Sequence, residues 1–453
     1  MDLSGKNVLV IGAGISGFAA AKIVRRLGAE VILSDAKAEA DIKYDFQELR
    51  AAGIRLVFGP QQESLLDGIS LVLVSPAVPC RIPIIQAAYQ RHIRVSTEVE
   101  LAYELAQSPI CAVTGTNGKT TTVTLLGQLL ATRFNPVGVG GNIGTPLSEE
   151  ALRVGRGGCI AAEISSYQME ATTNFHPHVA AVLNVTPDHI VRHGSMEVYQ
   201  QMKERIFAQQ TAEDFLVLNY DDPATRAMKE RAQSAVFYFS RKEELAEGAI
   251  VKDGQLMIRW EGQEYQLCTV GELGIKGGHN VENALAAAAV AFLAGCEPQA
   301  MVKVLKEFRG VEHRIEFVRT LDGVAYYNDS KATNTDSAIK ALETFAEGIV
   351  LLAGGDDKLT DLGDFMRLVK GRVHELILIG AAAERFRQEA LAGGISAEHI
   401  HMAGYDMGKA VTLAHTLAQA PEVVLLSPAC ASFDMYDGMA ERGRDFKRLV
   451  NNL

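Results

Sequence analysis

Short apolar runs alternate with amphipathic stretches along most of the chain. The first hundred residues contain the runs NVLVIG, EVILSD, IRLVFG and LVLVSPAVP, and the helical patterns GFAAAKIVRRLG and IPIIQAAYQRHI lie among them. Short apolar strands that alternate with helices are typical of a parallel sheet with both faces covered. The pattern therefore predicts an α/β unit in residues 1–97.

The same pattern restarts twice. After ICAVTG come a Gly-rich turn, the helix KTTTVTLLGQLLAT and the strands GCIAAEISS, VAAVLNVTPDH and DFLVLNYDD. The alternating segment GQLMIRWEGQEYQL predicts a small antiparallel addition, and HNVENALAAAAVAFLAG predicts a helix that ends near Gly295. A third unit contains the strands GVAYYNDS, GIVLLAGGDD, ELILIGA and VVLLSPACAS. We therefore predict three α/β domains, over residues 1–97, 98–310 and 311–453.

Composition narrows the function classes. A formal net charge of −11 argues against a broad nucleic-acid surface. No apolar run is long enough to cross a membrane, and the N-terminus leads directly into a strand, so we expect neither a membrane span nor a signal peptide. The six cysteines are scattered without a CxxC pair, so we expect neither a zinc site nor a disulfide framework, but reduced thiols in a cytoplasmic protein.

The first glycine motif follows the first predicted strand. Gly12, Gly14 and Gly17 fit G-x-G-x-x-G, and Asp35 stands near the position of a ribose-binding acid. Taken alone, this motif indicates a Rossmann-like domain that binds a nicotinamide dinucleotide. An NAD-dependent dehydrogenase is therefore one hypothesis, although it gives no role to the rest of the chain.

The second motif, GTNGKTT, lies between an apolar strand and a helix. Glycines allow backbone N–H groups to surround phosphate, Lys119 suits the β- and γ-phosphates, and Thr120 suits Mg²⁺. Val113 stands where the usual phosphate loop has its first glycine, so the motif is a shortened variant. Glu163 follows a later strand as a candidate metal ligand. On their own, His189 after another strand fits a structural histidine and Lys203 fits an ordinary helix-surface lysine.

Several motifs together carry a family resemblance. GTNGKTT, EISSYQME, NVTPDH, the HN pair at residues 279–280, the EHR at 312–314 and NDSKATN occur in the order and spacing of the Mur ligases of peptidoglycan synthesis, which the chain resembles along its whole length. LSPACASFDMYDGMAERG and NDSKATN are most similar to the branch that adds D-glutamate. The resemblance implies a Rossmann-like N-terminal domain, a central P-loop ATPase-like domain and a Rossmann-like C-terminal domain.

The resemblance also implies a reaction. A cytoplasmic, monomeric enzyme would use ATP and two Mg²⁺ ions, with Mn²⁺ as a substitute, to join D-glutamate to UDP-N-acetylmuramoyl-L-alanine through an acyl phosphate. The first domain would then hold the uridine nucleotide of that substrate, without redox chemistry. Its implied substrate contacts are Gly14, Ile15, Ser16, Asp35 and Ser75, joined by Asn142.

The resemblance assigns the remaining site residues by their positions in matched motifs. The catalytic residues would be Lys119, Glu163, His189 and Lys203, of which the last is carbamylated in the family. Metal ligands would be Thr120, Glu163, His189 and the carbamate of Lys203. ATP contacts would be Gly115, Thr116, Asn117, Gly118, Lys119, Thr120, Thr121, Asn280, Asn283, Arg314 and Asp329. The D-glutamate pocket would contain Lys331, Thr333, Lys358, Ser432 and Phe433.

Two positions depart from the family pattern, and three alternatives stay open. Ala77 replaces a frequent glycine after Ser75-Pro76, and Met439 stands where an aromatic residue would line the amino-acid pocket. Besides the dehydrogenase, the chain could be a sister ligase of the alanine, diamino acid or folylpolyglutamate type, although it lacks the DNPR-like motif of diamino acid ligases. The third alternative is a nucleotide-operated switch without ligase turnover.

Overall fold

The computed structural model describes residues 2–42, 44–188, 190–345, 348–357 and 359–453. The chain divides into a first unit, residues 1–273 with 281–307, and a second unit, residues 274–280 with 308–453. Within the described ranges there are three sheets, of five, nine and six strands. The three-part α/β architecture is thereby confirmed, while the boundaries at 97/98 and 310/311 stay predictions.

The first sheet is wholly parallel. Its strands are β1 (Asn7–Ile11), β2 (Glu30–Asp35), β3 (Arg55–Phe58), β4 (Leu71–Val74) and β5 (Arg94–Thr97). They lie in the order β3-β2-β1-β4-β5. The helices of this region are α1 (Ile15–Arg26), α2 (Gln47–Ala51), α3 (Pro83–Gln90) and α4 (Glu98–Leu105). Pro83 begins α3 because its fixed φ suits the first helical turn, where no N–H is needed.

The second sheet extends a parallel core with an antiparallel edge. Its strands are β6 (Ile110–Thr114), β7 (Val137–Gly141), β8 (Cys159–Glu163), β9 (Val179–Val182), β10 (Phe215–Asn219), β11 (Ala235–Ser240), β12 (Gly248–Lys252), β13 (Gln255–Trp260) and β14 (Gln263–Thr269). The order is β14-β13-β12-β11-β10-β9-β6-β8-β7. Strands β12 to β14 pair antiparallel, which confirms the predicted addition.

The helices of this second region include one that begins with Lys119 and one that contains Lys203. They are α5 (Lys119–Leu130), α6 (Leu147–Val154), α7 (Ile190–His193), α8 (Met196–Glu204), α9 (Pro223–Arg226), α10 (Gly278–Leu293) and α11 (Pro298–Glu307). In α10 the Ala-rich run is buried throughout residues 284–291, as its uniformly apolar sequence predicts.

The third sheet belongs to the second unit. Its strands are β15 (Glu316–Leu321), β16 (Val324–Asn328), β17 (Ile349–Gly354), β18 (Val373–Ile379), β19 (Ile400–Gly404) and β20 (Val423–Leu426). The order is β15-β16-β20-β17-β18-β19, and among the strands that the structure describes here only β15 pairs antiparallel. Its helices are α12 (Thr335–Thr344), α13 (Gly363–Arg372), α14 (Ala383–Ala392), α15 (Met407–Leu417) and α16 (Met439–Asn451).

The strand order reverses direction once within the parallel part of each sheet. The reversal lies between β1 and β4 in the first sheet, around β6 in the second, and around β20 in the third. Connections from strands on either side of such a point leave in opposite directions, so a crevice opens at the carboxyl ends of the strands. These three crevices are where the sequence motifs of the chain lie.

Two further expectations concern membranes and thiols. In the part of the chain that the structure describes, no helix combines the length and apolar character needed to cross a bilayer. All six cysteines are free thiols, and all but Cys80 are buried. The Sγ atoms of Cys111 and Cys159 lie 3.8 Å apart, well beyond the roughly 2.05 Å of a disulfide bond.

Arg442 of α16 anchors two loops of the third sheet. Its side chain is 1% exposed and lies on the same helix face as Phe446 and Val450, with a spacing of four residues. Its guanidinium donates to Ser330 Oγ and to the carbonyl oxygens of Ser330, Cys430 and Ala431, at 2.9 to 3.1 Å. Burial lowers the pKa of Arg442 to about 10, so the group stays charged at neutral pH.

We predict that Arg442→Leu destabilises the second unit. The change would leave three buried carbonyl oxygens and one hydroxyl without their donor, at about 1–3 kcal/mol each, so we expect a loss of roughly 3 kcal/mol or more in the free energy of unfolding. Urea unfolding would measure it. The matched control is Arg448→Leu on the same helix, whose side chain is 62% exposed in an ion pair with Asp445 and should change stability by about 0.5 kcal/mol or less. Equal midpoints for the two variants would contradict this anchoring role.

Candidate active site

Gly12 and Gly17 allow the first crevice to form. Gly12 has φ +99°, and a Cβ there would lie 2.7 Å from the Ser75 Cβ; a Cβ at Gly17 would lie 1.8 Å from the Gly12 carbonyl oxygen. Ser75 Oγ donates to that same oxygen at 2.8 Å, which joins the ends of β1 and β4. The Asp35 carboxylate accepts from the Ala13 N–H at 2.8 Å and so fixes the start of the glycine loop. Only residues without side chains permit this close approach.

A cavity of about 940 Å³ opens from this crevice. Its walls come mainly from the loops after β1, β2 and β4, and from the loop after β7 in the second sheet, with Gln61 and Gln168 completing the lining. All six residues predicted to contact the UDP-substrate lie in its lining: Gly14, Ile15, Ser16, Asp35, Ser75 and Asn142. Ala77, the departure from the family pattern, also lines it. The cavity is large enough for a nucleotide-sized ligand.

The phosphate loop turns between β6 and α5, as its sequence predicts. Gly115 and Gly118 have φ values of +152° and +85°, and a Cβ at Gly118 would lie 2.2 Å from Asn283 Oδ1. Lys119 Nζ donates to the carbonyl oxygens of Gly115 and Thr116, at 2.8 and 2.9 Å. The loop therefore holds its lysine back over its own backbone, beside the N-terminus of α5, where an anion is favoured.

Lys203 does not lie on the helix surface, and that interpretation of the sequence is wrong. The side chain is 2% exposed, its Nζ donates to the Gly115 carbonyl oxygen at 2.8 Å, and it lies 4.4 Å from the centre of the Tyr199 ring. Burial, followed by the nearby Lys119 charge, lowers the pKa of Lys203 well below its ordinary value, and Asp188 only partly opposes this. The site thus favours a neutral amine at this position.

Glu163 ends β8 with one carboxylate oxygen unpaired. Its Oε1 accepts from the Asn142 side-chain amide at 2.9 Å, while its buried Oε2 has no hydrogen-bond partner among the residues that the structure describes. A buried carboxylate oxygen without a donor suits a cation, and oxygen donors are what Mg²⁺ prefers. Thr120, the other hydroxyl predicted for the metal, is also buried at the start of α5. His189 lies outside the described residues.

Two residues that the sequence analysis did not single out support the loop. The Asn184 side chain accepts from the Asn117 N–H at 2.8 Å and donates to the Asn117 carbonyl oxygen at 3.1 Å. The Tyr199 hydroxyl lies 3.1 Å from Thr116 Oγ1. The spacing of Tyr199 and Lys203, i and i+4 on one helix, was a signal that both share a face.

The ATP-binding asparagines predicted in α10 fall in different units. Asn283, in the first unit, is buried, and its Oδ1 accepts from Thr122 Oγ1 at 3.3 Å, next to the phosphate loop. Asn280, in the second unit, donates from its side-chain amide to the Lys276 carbonyl oxygen at 2.7 Å. Thr121, also predicted for ATP, is buried in α5, with its hydroxyl oxygen unpartnered among the described residues.

In the second unit, Asp329 follows β16 at the third crevice. Its carboxylate accepts from the Ile315 N–H at 3.2 Å and from Ser427 Oγ at 2.9 Å. Burial raises the pKa of Asp329 to about 7, against the opposing effect of the Arg314 charge. The Arg314 Nε is buried and has no hydrogen-bond partner within the described ranges. Arg314 and Asp329, both predicted to contact ATP, therefore interact electrostatically.

The residues predicted for D-glutamate follow two loops that Arg442 joins. Lys331 comes directly after Ser330 and Thr333 two positions later, and Ser432 and Phe433 come directly after Ala431. Ser432 is buried, whereas Phe433 is 72% exposed. Lys358 lies outside the described residues. The sequence did not indicate a role for Arg442. Its spacing of four and eight residues from the apolar Phe446 and Val450 was the one signal that it shares their helix face.

Family comparisons cover most of the chain. Residues 6–97 match the N-terminal domain described as Mur ligase MurD-like, residues 113–291 match the Mur ligase middle domain, and residues 313–430 match the Mur ligase glutamate ligase domain. The three matches follow one another along the chain in the same order as the three sheets.

Relatives and solved structures agree with these matches. A UDP-N-acetylmuramoylalanine–D-glutamate ligase of Thermoanaerobacter pseudethanolicus is 44% identical over 453 residues, 100% of both chains. The enzyme of the same name from Pelotomaculum thermopropionicum is 45% identical over 452 residues, 100% of this chain and 99% of the relative. A pseudomurein peptide ligase type C from Methanothermus fervidus shares the fold with a TM-score of 0.60 at 18% identity, covering 98% of this chain and 100% of that one. The chain belongs to the Mur ligase family.

Proposed function

We propose that this ligase joins D-glutamate to UDP-N-acetylmuramoyl-L-alanine with ATP, as a step of peptidoglycan precursor synthesis. Relatives of 40–45% identity that are named UDP-N-acetylmuramoylalanine–D-glutamate ligase align over the full length of the chain. The observation that carries the proposal is the position of Asn142, which lines the substrate-sized cavity and also bonds Glu163 beside the phosphate loop. A substrate held in that cavity would present its far end to the phosphates.

The proposed chemistry activates a carboxylate. The terminal carboxylate of the substrate attacks the γ-phosphorus of ATP, the bond from that phosphorus to ADP breaks, and an acyl phosphate forms. The amine of D-glutamate then attacks the acyl carbon, phosphate leaves with the electrons of the C–O bond, and the nitrogen loses a proton. Two anions must meet in the first step, so the Lys119 ammonium group, placed over the loop, offsets their repulsion.

Mg²⁺ fits the oxygen donors of this site. Glu163, with its unpaired buried oxygen, and Thr120 would hold one ion, and His189 with Lys203 would hold a second; Mn²⁺ would substitute. The ions supply neutralisation of phosphate charge. We assign Lys203 as a carbamate, because burial favours the neutral amine that reacts with CO₂ to give the carbamate and one proton.

The remaining contacts extend the proposal to the second unit. We assign Arg314 and Asp329 to ATP, together with Asn280 of this unit and Asn283 of the first. We assign Lys331, Thr333, Lys358, Ser432 and Phe433 to D-glutamate, since lysines and hydroxyls suit a substrate with two carboxylates. The proposal includes a cytoplasmic, monomeric enzyme.

We predict that phosphate release requires D-glutamate. The wild-type chain would be supplied with ATP, Mg²⁺ and UDP-N-acetylmuramoyl-L-alanine, and one amino acid would be added at a time. Release with D-glutamate, and not with L-glutamate or diamino acids, is expected. Release with another amino acid instead would assign the chain to a sister ligase, and nucleotide binding without any release would favour the switch.

We predict that Lys119→Ala lowers kcat/KM by on the order of 10³-fold, about 4 kcal/mol, because the variant loses the positive charge that faces the phosphates. The amino-acid-dependent release of phosphate would measure this change. Lys229→Ala, an exposed lysine in the short 3₁₀ helix Ala227–Arg231, is the matched control and should leave kcat/KM unchanged. A Lys119→Ala variant as active as the control would remove the loop from catalysis.

We predict that Lys203→Ala loses most activity and regains part of it with short carboxylic acids such as acetate. The acid would supply the oxygen donors that the carbamate is proposed to supply, in the space that the side chain vacates. Turnover at increasing acetate concentration would measure the rescue, with Lys119→Ala as a variant that acetate should not rescue. Full activity of Lys203→Ala without acid would contradict its place at a metal site.

A further inference from the structure

A cluster of histidines and glutamates lies at the amino ends of the third sheet, where β18, β19 and β20 begin. We name it the β18–β19 histidine cluster, and it consists of His374, Glu375, Glu398, His399, His401 and Glu422. Asp329 and Ser427 follow the carboxyl ends of β16 and β20, at the opposite end of the strands. The cluster is therefore separate from the candidate active-site residues of the second unit.

One buried carboxylate lies at the centre of the cluster. Glu375 is 7% exposed, and its Oε1 lies 3.1 Å from His399 Nδ1 and 3.7 Å from His374 Nε2. Its Oε2 lies 2.6 Å from His401 Nε2. The Glu375 carboxylate therefore faces three imidazole nitrogens.

Further carboxylates lie on the far sides of the rings. His374 Nδ1 is 2.8 Å from Glu422 Oε1, so the ring donates its N–H there and keeps the Nε2 lone pair on the side of Glu375. His399 Nε2 lies 3.8 Å from Glu398 Oε1. A carboxylate on the outer nitrogen fixes the tautomer and orientation of a metal-binding histidine and raises its basicity. His374 shows this arrangement with Glu422, whereas Glu398 is near His399 without a hydrogen bond to it.

A second group of similar composition shows the contrast. The side chains of Glu312 and Glu316 lie near His313, but Lys447 Nζ bonds both glutamates, at 2.6 and 2.9 Å. Their negative charge is already balanced by an ammonium group. Among the hydrogen bonds and ion pairs of the described residues, no lysine or arginine bonds Glu375, Glu398 or Glu422. The negative charge of the β18–β19 histidine cluster is therefore not balanced by a lysine or arginine, and a metal cation could bind there.

We propose that His374, Glu375 and His399 bind one Zn²⁺ ion, with Glu422, Glu398 and His401 as positioning residues. The three ligand atoms lie within 4.8 Å of one another, so small side-chain rotations would bring them around one ion. Two imidazole nitrogens and one carboxylate oxygen, with water in the open position, form a donor set that suits Zn²⁺. The side chains of His374 and His399 are 43% and 40% exposed, so solvent ions reach them.

The ion would join the short 3₁₀ helix Ala397–His399 to the start of β18. These two segments are separated by α14 in sequence. An ion with a ligand from each would therefore crosslink the start of β18 to the segment that precedes β19. An ion that binds the folded chain more tightly than the unfolded chain raises the melting temperature. The inference concerns residues outside the ligase site and is tested without substrates.

The experiment is a calorimetric titration of the full-length, chelator-treated chain with Zn²⁺ alone. We expect the wild-type chain to bind one more equivalent than the double variant His374→Gln/His399→Gln. The matched control is His92→Asn: His92 is exposed, has φ +55° and lies in the first unit, and Asn tolerates that conformation. The control should keep the extra equivalent. The same stoichiometry and affinity in the wild type and the double variant would overturn the proposal.

A second variant separates positioning from folding. Glu422→Gln keeps all three ligands, and we expect it to weaken Zn²⁺ binding at this site by about 10- to 100-fold. Zn²⁺ should also raise the melting temperature of the wild type and of His92→Asn, but not that of the double variant. If the double variant does not fold, Glu422→Gln decides, because unchanged Zn²⁺ affinity in that variant would overturn the proposal. Neither measurement depends on ligase turnover, so its outcome is independent of the proposed reaction.

Discussion

Two lysine side chains donate to one carbonyl oxygen at the end of the central strand β6. Lys119 from α5 and Lys203 from α8 both reach the Gly115 oxygen at 2.8 Å. Burial and the neighbouring Lys119 charge both lower the pKa of Lys203, so this pair favours one ammonium group and one neutral amine. The positive charge that remains on Lys119 favours an anion beside the loop. The buried Oε2 of Glu163, at the end of the neighbouring strand β8, favours a cation instead.

That constraint gives the first unit its chemical character. A phosphate chain would satisfy the N-terminus of α5 and Lys119, and a metal ion would satisfy Glu163. The Asn142 amide links the carboxylate of Glu163 to the cavity of the first sheet, so a ligand in the cavity and a nucleotide on the loop would share one boundary. The arrangement is consistent with a reaction between the end of one bound molecule and the phosphates of another.

The same geometric rule creates a crevice in each sheet, but the side chains make the crevices different. At the first, glycines and Ser75 leave room for a large ligand; at the third, Arg442 and Asp329 bury charge beneath two loops. The amino ends of strands β18 to β20 in the third sheet carry histidines and glutamates that are not part of any crevice. Parallel strands thus separate two chemistries onto opposite ends of one sheet.

The sequence by itself determined the strands, the two glycine loops and the antiparallel addition, because each depends on residues that are contiguous or regularly spaced. It also carried the family resemblance that the comparisons confirmed. The glycine motif alone left the first ligand ambiguous, since a tight turn at a helix N-terminus serves any diphosphate. Tertiary structure alone decided that Lys203 is buried, that Asn142 meets Glu163 and that Arg442 joins two loops. These contacts join residues 11 to 112 positions apart, and local sequence patterns do not specify what a distant segment will bury.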